Sequence, residues 1–166
     1  MKGLSKKEIE IVSDLEFQKK YYFTGKDISN HFKNQIQRRN TIYNLKKKNR
    51  IIKINREKYY LIPIKARYGK WVDYPFIAVD EICNGKDYFI GGYAAANYWR
   101  LTDQIPAQID VYTIRRQGTV KIFNTRIVFH RTSKRNLKNG VTKKMSNHNF
   151  IILNKKKSKK WINLRE

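Results

Sequence analysis

The sequence is short of the features that staple a chain, anchor it or give it a familiar catalytic centre. Cys83 is its single cysteine, which excludes an intrachain disulfide and a cysteine-rich metal site. No run of about 18 apolar residues occurs, so no membrane-spanning helix is predicted. The first residues, Met1 to Phe17, are charged throughout and lack the apolar stretch of a signal peptide; the expected location is cytoplasmic. There is no lipidation signal and no evident basic amphipathic helix of the kind an anionic membrane surface would require. There is also no Gly-rich phosphate loop, no Gly-x-Ser-x-Gly, and no His-x-Glu with paired cysteines. His31, His130 and His148 stand on different elements without metal-ligand spacing. Asp73, Asp80, Glu81, Asp87, Asp103 and Asp110 could in principle hold Mg²⁺. None has the acid-x-Lys context of a nuclease strand, Asp110-Val111-Tyr112 coming nearest. Neither enzyme activity, nor a cofactor, nor a metal is expected.

Acidic residues are scarce too, with 13 Asp and Glu against 37 Lys and Arg, a formal net charge of +24. A compact chain so charged repels itself and is suited to a polyanion, of which nucleic acid is the commonest. The excess is uneven. Residues 1–65 hold 17 basic and 6 acidic residues, residues 66–110 hold 4 and 6, and residues 111–166 hold 16 and 1. A near-neutral block between two basic ones is where a protein partner, or the core of a second domain, would sit. With 40% apolar and 13% aromatic residues the chain can bury a core, and its length suits one ordinary or two small domains. The reading is a domain at 1–65 and a second at 66–166, with Gly69 and Lys70 in the linker.

In the first domain, Ser5-Lys6-Lys7-Glu8 has the spacing of a capping box and predicts a helix over Lys6–Phe17. Ile9, Val12 and Leu15 or Phe17 would form its apolar face. Thr24-Gly25-Lys26-Asp27 repeats the start signal, with Thr24 capping a short helix that carries Ile28 and Phe32. A break at Lys33-Asn34 precedes a longer helix, Gln35 to Lys48. Ile51–Ile54, a turn at Asn55–Lys58 and Tyr59–Ile62 then read as a hairpin closed by Pro63. Helix, short helix, helix, hairpin is the order of a winged helix-turn-helix, in which the third helix enters the major groove. That helix carries Gln35, Gln37, Arg38, Arg39, Asn40 and Asn44, side chains able to bond adenine or guanine bidentately. Lys46, Lys47, Lys48 and Arg50 at its end, and Arg56 and Lys58 on the wing, would contact phosphates, which position without specifying. A helix of this composition also describes an ordinary solvated face. Its phase is awkward: Ile42 and Leu45 share one side with Arg38, while Ile36 and Tyr43 lie opposite.

In the second domain, Tyr74–Cys83 predicts a helix with Pro75 in its first turn, ending at Asn84-Gly85, with Phe76, Ile77, Val79 and Ile82 inward. Tyr88–Ile90 is a short strand or an extended lead-in. Tyr93–Leu101 is a helix with a close-packing run, Ala94-Ala95-Ala96. Strands follow at Ile109–Ile114, Val120–Phe123 and Ile127–His130, with a weaker candidate at Asn149–Leu153. The fold class is therefore α+β: a winged helix-turn-helix, then a small domain with two helices and an antiparallel sheet. The basic C-terminal stretch, Lys155 to Lys160 with Trp161, reads either as an extension of the nucleic-acid footprint or as a solvated tail.

One string carries a resemblance. Asp87-Tyr-Phe-Ile-Gly-Gly-Tyr-Ala-Ala-Ala-Asn-Tyr-Trp-Arg-Leu-Thr-Asp-Gln-Ile-Pro106, followed by Ile109-Asp-Val-Tyr-Thr113, resembles the AbiEi family. Its members are antitoxins and transcriptional repressors of type IV toxin–antitoxin systems. The match spans residues 87–106 and 109–113; elsewhere the likeness is one of element order. Family members continue into a Glu-Arg-containing helix, where this sequence reads Asn154-Lys-Lys-Lys-Ser-Lys-Lys160, so the resemblance speaks for a repressor more directly than for an antitoxin. It implies double-stranded operator DNA as partner, an inverted repeat bound by two copies or a dimer, autoregulation, and a cognate toxin. The string also has a purely structural account: close approach at Gly91-Gly92, a turn at Thr102-Asp103, and Gln104 as the exposed exception. Two rivals to the repressor stand. One is an interaction protein that holds a nucleotidyltransferase-like toxin on the 66–110 block, and the other is a nucleic-acid enzyme.

Overall fold

The computed structural model describes residues 3–64 and 74–165, and the chain divides into two compact units, Met1–Trp71 and Val72–Glu166. The linker expected at Gly69 and Lys70 lies outside the described residues, as does Asp73. The architecture is α+β: N-terminal helices with a three-stranded sheet, then a six-stranded mixed sheet with helices.

The first unit opens with α1 (Lys6–Phe17). Its capping box is formed: the Ser5 amide donates to Glu8 Oε2 at 2.6 Å, and the Glu8 amide donates to Ser5 Oγ at 3.3 Å. The inward face is Glu8, Ile11, Val12 and Leu15, not the expected Ile9 and Phe17, which are exposed. The box itself sets this phase, because Glu8 must turn back toward Ser5, and i+3, i+4 and i+7 from Glu8 then face the core. β1 (Tyr22–Thr24) was not expected; it pairs antiparallel with β3 (Lys58–Leu61), which also pairs with β2 (Ile51–Lys53). The short helix at Thr24 is absent too. The Thr24 amide and hydroxyl both donate to Asp27 Oδ2, at 2.6 and 2.7 Å, making a turn, and a 3-10 turn at Ser29–His31 follows. α2 (Gln35–Lys47) starts where the sequence places it, with Asn34 Oδ1 accepting from the Gln37 amide at 2.9 Å. Ile11, Val12, Leu15, Phe23, Ile28, Leu45, Ile51 and Leu61 form the core.

The second unit is a sheet of order β6-β7-β5-β4-β9-β8. Its strands are β4 (Tyr88–Gly91), β5 (Ile109–Thr113), β6 (Gly118–Ile122), β7 (Thr125–Arg131), β8 (Gly140–Met145) and β9 (His148–Leu153). The expected antiparallel sheet is mixed. The hairpin of β6 and β7 reverses the chain twice, so the longer β7, with buried Ile127 and Phe129, inserts beside β5 and runs parallel to it. β4 and β9 are parallel as well. α3 (Pro75–Cys83) ends in left-handed Asn84, and α4 (Gly92–Tyr98) buries Ala94, Ala95 and Ala96. A one-turn helix, α5 (Lys134–Leu137), precedes β8.

The basic C-terminal stretch is no tail. It forms α6 (Lys155–Ile162), capped by Asn154 and packed on α4, with Ser158 and Ile162 buried and its lysines outward. A basic amphipathic helix therefore exists after all, but its apolar side is occupied by the protein itself. Among the described residues no helix is long and apolar enough to cross a membrane.

Candidate nucleic-acid interface

α2 is held by its inner side. Leu45 is fully buried and Ile42 packs against the same core. At the C-terminal end, Lys48 Nζ donates to Glu8 Oε2 at 2.6 Å. Burial pushes the Glu8 carboxyl up, but the hydrogen bonds from Lys48 and from the Ser5 amide and hydroxyl outweigh it, and the net direction is down. Lys48, expected among the phosphate contacts at the helix end, is thus engaged with α1. Arg50 departs similarly: its Nε and Nη2 are buried and have no hydrogen-bond partner.

The outer side of α2 is free of such ties. Gln35, Gln37, Arg39, Asn40, Asn44, Lys46 and Lys47 are exposed, so most of the expected base readers and two of the expected phosphate contacts are accessible. Arg38 is half-buried, as its place beside Ile42 and Leu45 foreshadowed. Its side chain lies across Gly25, where a Cβ would meet Arg38 Nε at 3.7 Å. Arg38 and Arg39 line an open groove of about 590 Å³ together with Lys26 before the 3-10 turn and Arg56 on the β2–β3 turn. Glu57 is its one acidic side chain. That turn is set by Asn55, whose Oδ1 accepts from the Glu57 and Lys58 amides at 2.9 and 2.8 Å. Arg56 is exposed at its tip; Lys58 is half-buried at the start of β3.

Three residues of this surface were not among the expected readers. Lys26 reaches the groove because the Thr24–Asp27 turn brings it there. Ile36 and Tyr43 are 69% and 63% exposed on the outermost line of α2. Their opposition to Ile42 and Leu45 is legible in the 3.6-residue period; what the residue types did not advertise is that apolar side chains would point outward.

Elsewhere the titratable clusters read as structural ties. His31 Nδ1 and Nε2 face Glu10 and Asp14 of α1 at 3.3 and 3.2 Å. In the second unit, Tyr88 donates to Asp80 Oδ1 at 2.6 Å and accepts from the Ile151 amide, while His148 Nε2 meets Asp80 Oδ2 at 3.0 Å. Burial, reinforced by Asp80, pushes the Tyr88 phenol upward. His130 Nε2 lies 2.8 Å from Asp110 Oδ1, which also accepts from Gln108 Nε2. Among the described residues no three His, Cys, Asp or Glu side chains converge as metal ligands would. Within residues 87–113, Trp99 Nε1 donates to Leu153 O at 2.8 Å and Thr113 Oγ1 to Asp87 O at 2.6 Å. Asp103, Gln104 and Ile105 are exposed, Ile105 at 86%.

Compared with known proteins, the chain matches no family model, and no curated protein matches it.

Proposed function

We propose that this protein is a sequence-specific DNA-binding repressor of the antitoxin-like, AbiEi-resembling kind, whose first unit is a winged helix-turn-helix. The observation that carries the reading is α2: its inner face packs in the core, its C-terminal end is tied to α1 by Lys48 and Glu8, and its outer face is exposed and carries Gln, Asn, Arg and Lys side chains. The order α1, β1, 3-10 turn, α2, β2, β3, with β3 central in the sheet, is that of a winged helix whose second helix has shrunk to a single turn. α2 would lie in the major groove, and Lys26 and Arg56, which line the groove beside it, would bond phosphates. The lysines of α6 add a second phosphate-binding surface. Lys155, Lys156 and Lys157 sit at the positive end of that helix's dipole, where polyanion binding relieves the repulsion. A second reading, a docking site for a protein partner such as a toxin, draws on the exposed Ile105 in the Asp103–Ile105 loop.

The test is a mobility-shift titration on the gene's own upstream DNA and on an unrelated duplex, at two salt concentrations. Retained preference for the upstream DNA at the higher salt is expected. Arg39→Ala should cost roughly 1–3 kcal/mol and relax specificity, whereas Lys47→Ala should weaken all duplexes alike and reduce the salt slope by about 1. Equal, steeply salt-dependent binding to both duplexes would mean that charge alone is responsible, and would refute the reading.

A further inference from the structure

The outermost line of α2 runs through Ile36, Asn40, Tyr43 and Lys47, at i, i+4, i+7 and i+11, within a narrow arc of the helix. All four are exposed, the two apolar ones at 69% and 63%. An Ile and a Tyr on the solvent side of a helix whose opposite side already fills a core have no structural task there. What could cover them is narrowed by their surroundings. Asn40 stands between them, Arg39 and Lys47 flank them, and the adjoining groove adds Lys26, Arg38 and Arg56. An apolar line set in positive charge fits a polyanion that itself offers apolar groups at the floor of a groove. Duplex DNA does so through the thymine methyl, which the major groove presents only at A·T pairs.

Resting on the DNA-reading role of α2, we infer that this helix selects A·T pairs, Ile36 and Tyr43 each packing on a thymine methyl and Asn40 bonding an adenine between them. Asn is the side chain that matches adenine N6 and N7 bidentately, and apolar side chains are the ones that match the thymine methyl. Ile36 and Asn40 lie in the N-terminal half of the helix, the part that reaches base edges in this docking mode. Ile36 and Tyr43 are two turns apart, about 10 Å at 1.5 Å per residue. That corresponds to about three steps of a duplex rising 3.4 Å per base pair. The site read by one copy is therefore a short block with a thymine methyl near each end and an adenine inside. The arginines are displaced from the centre: Arg38 is half-buried toward Gly25 and Arg39 flanks the line, so guanine contacts fall at the margin.

The experiment is selection of bound duplexes from a random pool by the full chain. The enriched site is then titrated with thymine and with deoxyuridine, which pairs identically but lacks the methyl. An A·T-rich site is expected, with affinity falling about four-fold for each contacted methyl removed. Ile36→Ala and Tyr43→Ala, both at exposed positions, should fold as the parent does, bind more weakly and lose the thymine-to-uracil difference at one position each. A G·C-rich site, equal binding of thymine and uracil duplexes, or variants that keep the parent's discrimination would overturn the inference while leaving DNA reading by α2 intact. Absence of any enriched sequence would overturn both, and would leave the Ile36–Tyr43 line to a protein partner.

Discussion

Glu8 is 2% exposed, caps the first turn of α1, and receives Lys48 from the far end of α2, so removing only its charge probes what holds α2 in place. Glu8→Gln keeps the capping geometry, since Gln serves at this position of a capping box. It makes the bond from the Ser5 amide a neutral one and leaves Lys48, whose side chain is 20% exposed, facing an amide in place of its counter-ion. The expected loss is about 2 kcal/mol, the difference between charged and neutral hydrogen bonds together with partial burial of an unpaired ammonium. For a unit of this size that lowers Tm by about 10 °C. Lys48→Met leaves a buried carboxylate instead and should cost more, about 3 kcal/mol, while the double variant should recover part of the loss. The pH dependence follows from the sign of the Glu8 shift. Its folded-state pKa is lowered from 4.5, so its contribution is complete above that value and disappears as pH falls through the lower, folded one. The difference between parent and Glu8→Gln, read by urea unfolding with far-UV circular dichroism, should be flat from pH 7 to about 5 and shrink below. Other carboxyls lowered in the fold, such as Asp27, cancel in that difference. A difference that stays constant down to pH 3, or no coupling between positions 8 and 48, would refute the argument.

Two further expectations concern the second unit. The Cys83 thiol is pushed up to about 12 by burial and by the Asp80 carboxylate, so it should resist alkylation at pH 8 in the native protein and react on unfolding; prompt native labelling would contradict its burial. Gly92 has φ +60°, and a Cβ there would lie 2.7 Å from Asp110 Oδ2. Gly92→Ala should therefore destabilise the unit by about 2 kcal/mol and disturb the Asp110–His130 contact, visible as a lower Tm and a shifted His130 ring resonance, whereas an unchanged Tm would show that β5 yields without cost.

What could be read in advance was what local chemistry decides. The capping box at Ser5, the break at Lys33-Asn34 before α2, the hairpin around Asn55, and the start and stop of α3 at Pro75 and Asn84 each involve residues within a few positions of one another. What escaped depends on distant partners. β1 is three residues long and is a strand only because β3 lies beside it. β8 alternates inward Val141, Lys143 and Met145, but a lysine does not announce an inward position; its ammonium lies over the Trp99 ring at 5.2 Å. α6 hides its apolar line in Ser158, Trp161 and Ile162 among five lysines. The expected antiparallel order failed because no local signal tells whether β7 returns inside or outside β6. On α2, residue types said which side chains are able to bond bases or phosphates; the direction in which each side chain points required the core to be seen.

The six-stranded sheet ends in two edge strands, β6 and β8, each with no further strand beside it among the described residues and so able to template one. Lys121 on one edge and Lys143 and Lys144 on the other guard them, within a molecule of net charge +24. Such protection is colloidal: like-charged copies stay apart only while their charge is uncompensated. A polyanion neutralises the same lysines and arginines, and near charge equivalence the repulsion between copies is gone while the edges remain. For any polyanion mixed with this chain the ratio of the two thus governs dispersion, and a mixture is best behaved when one component is in clear excess.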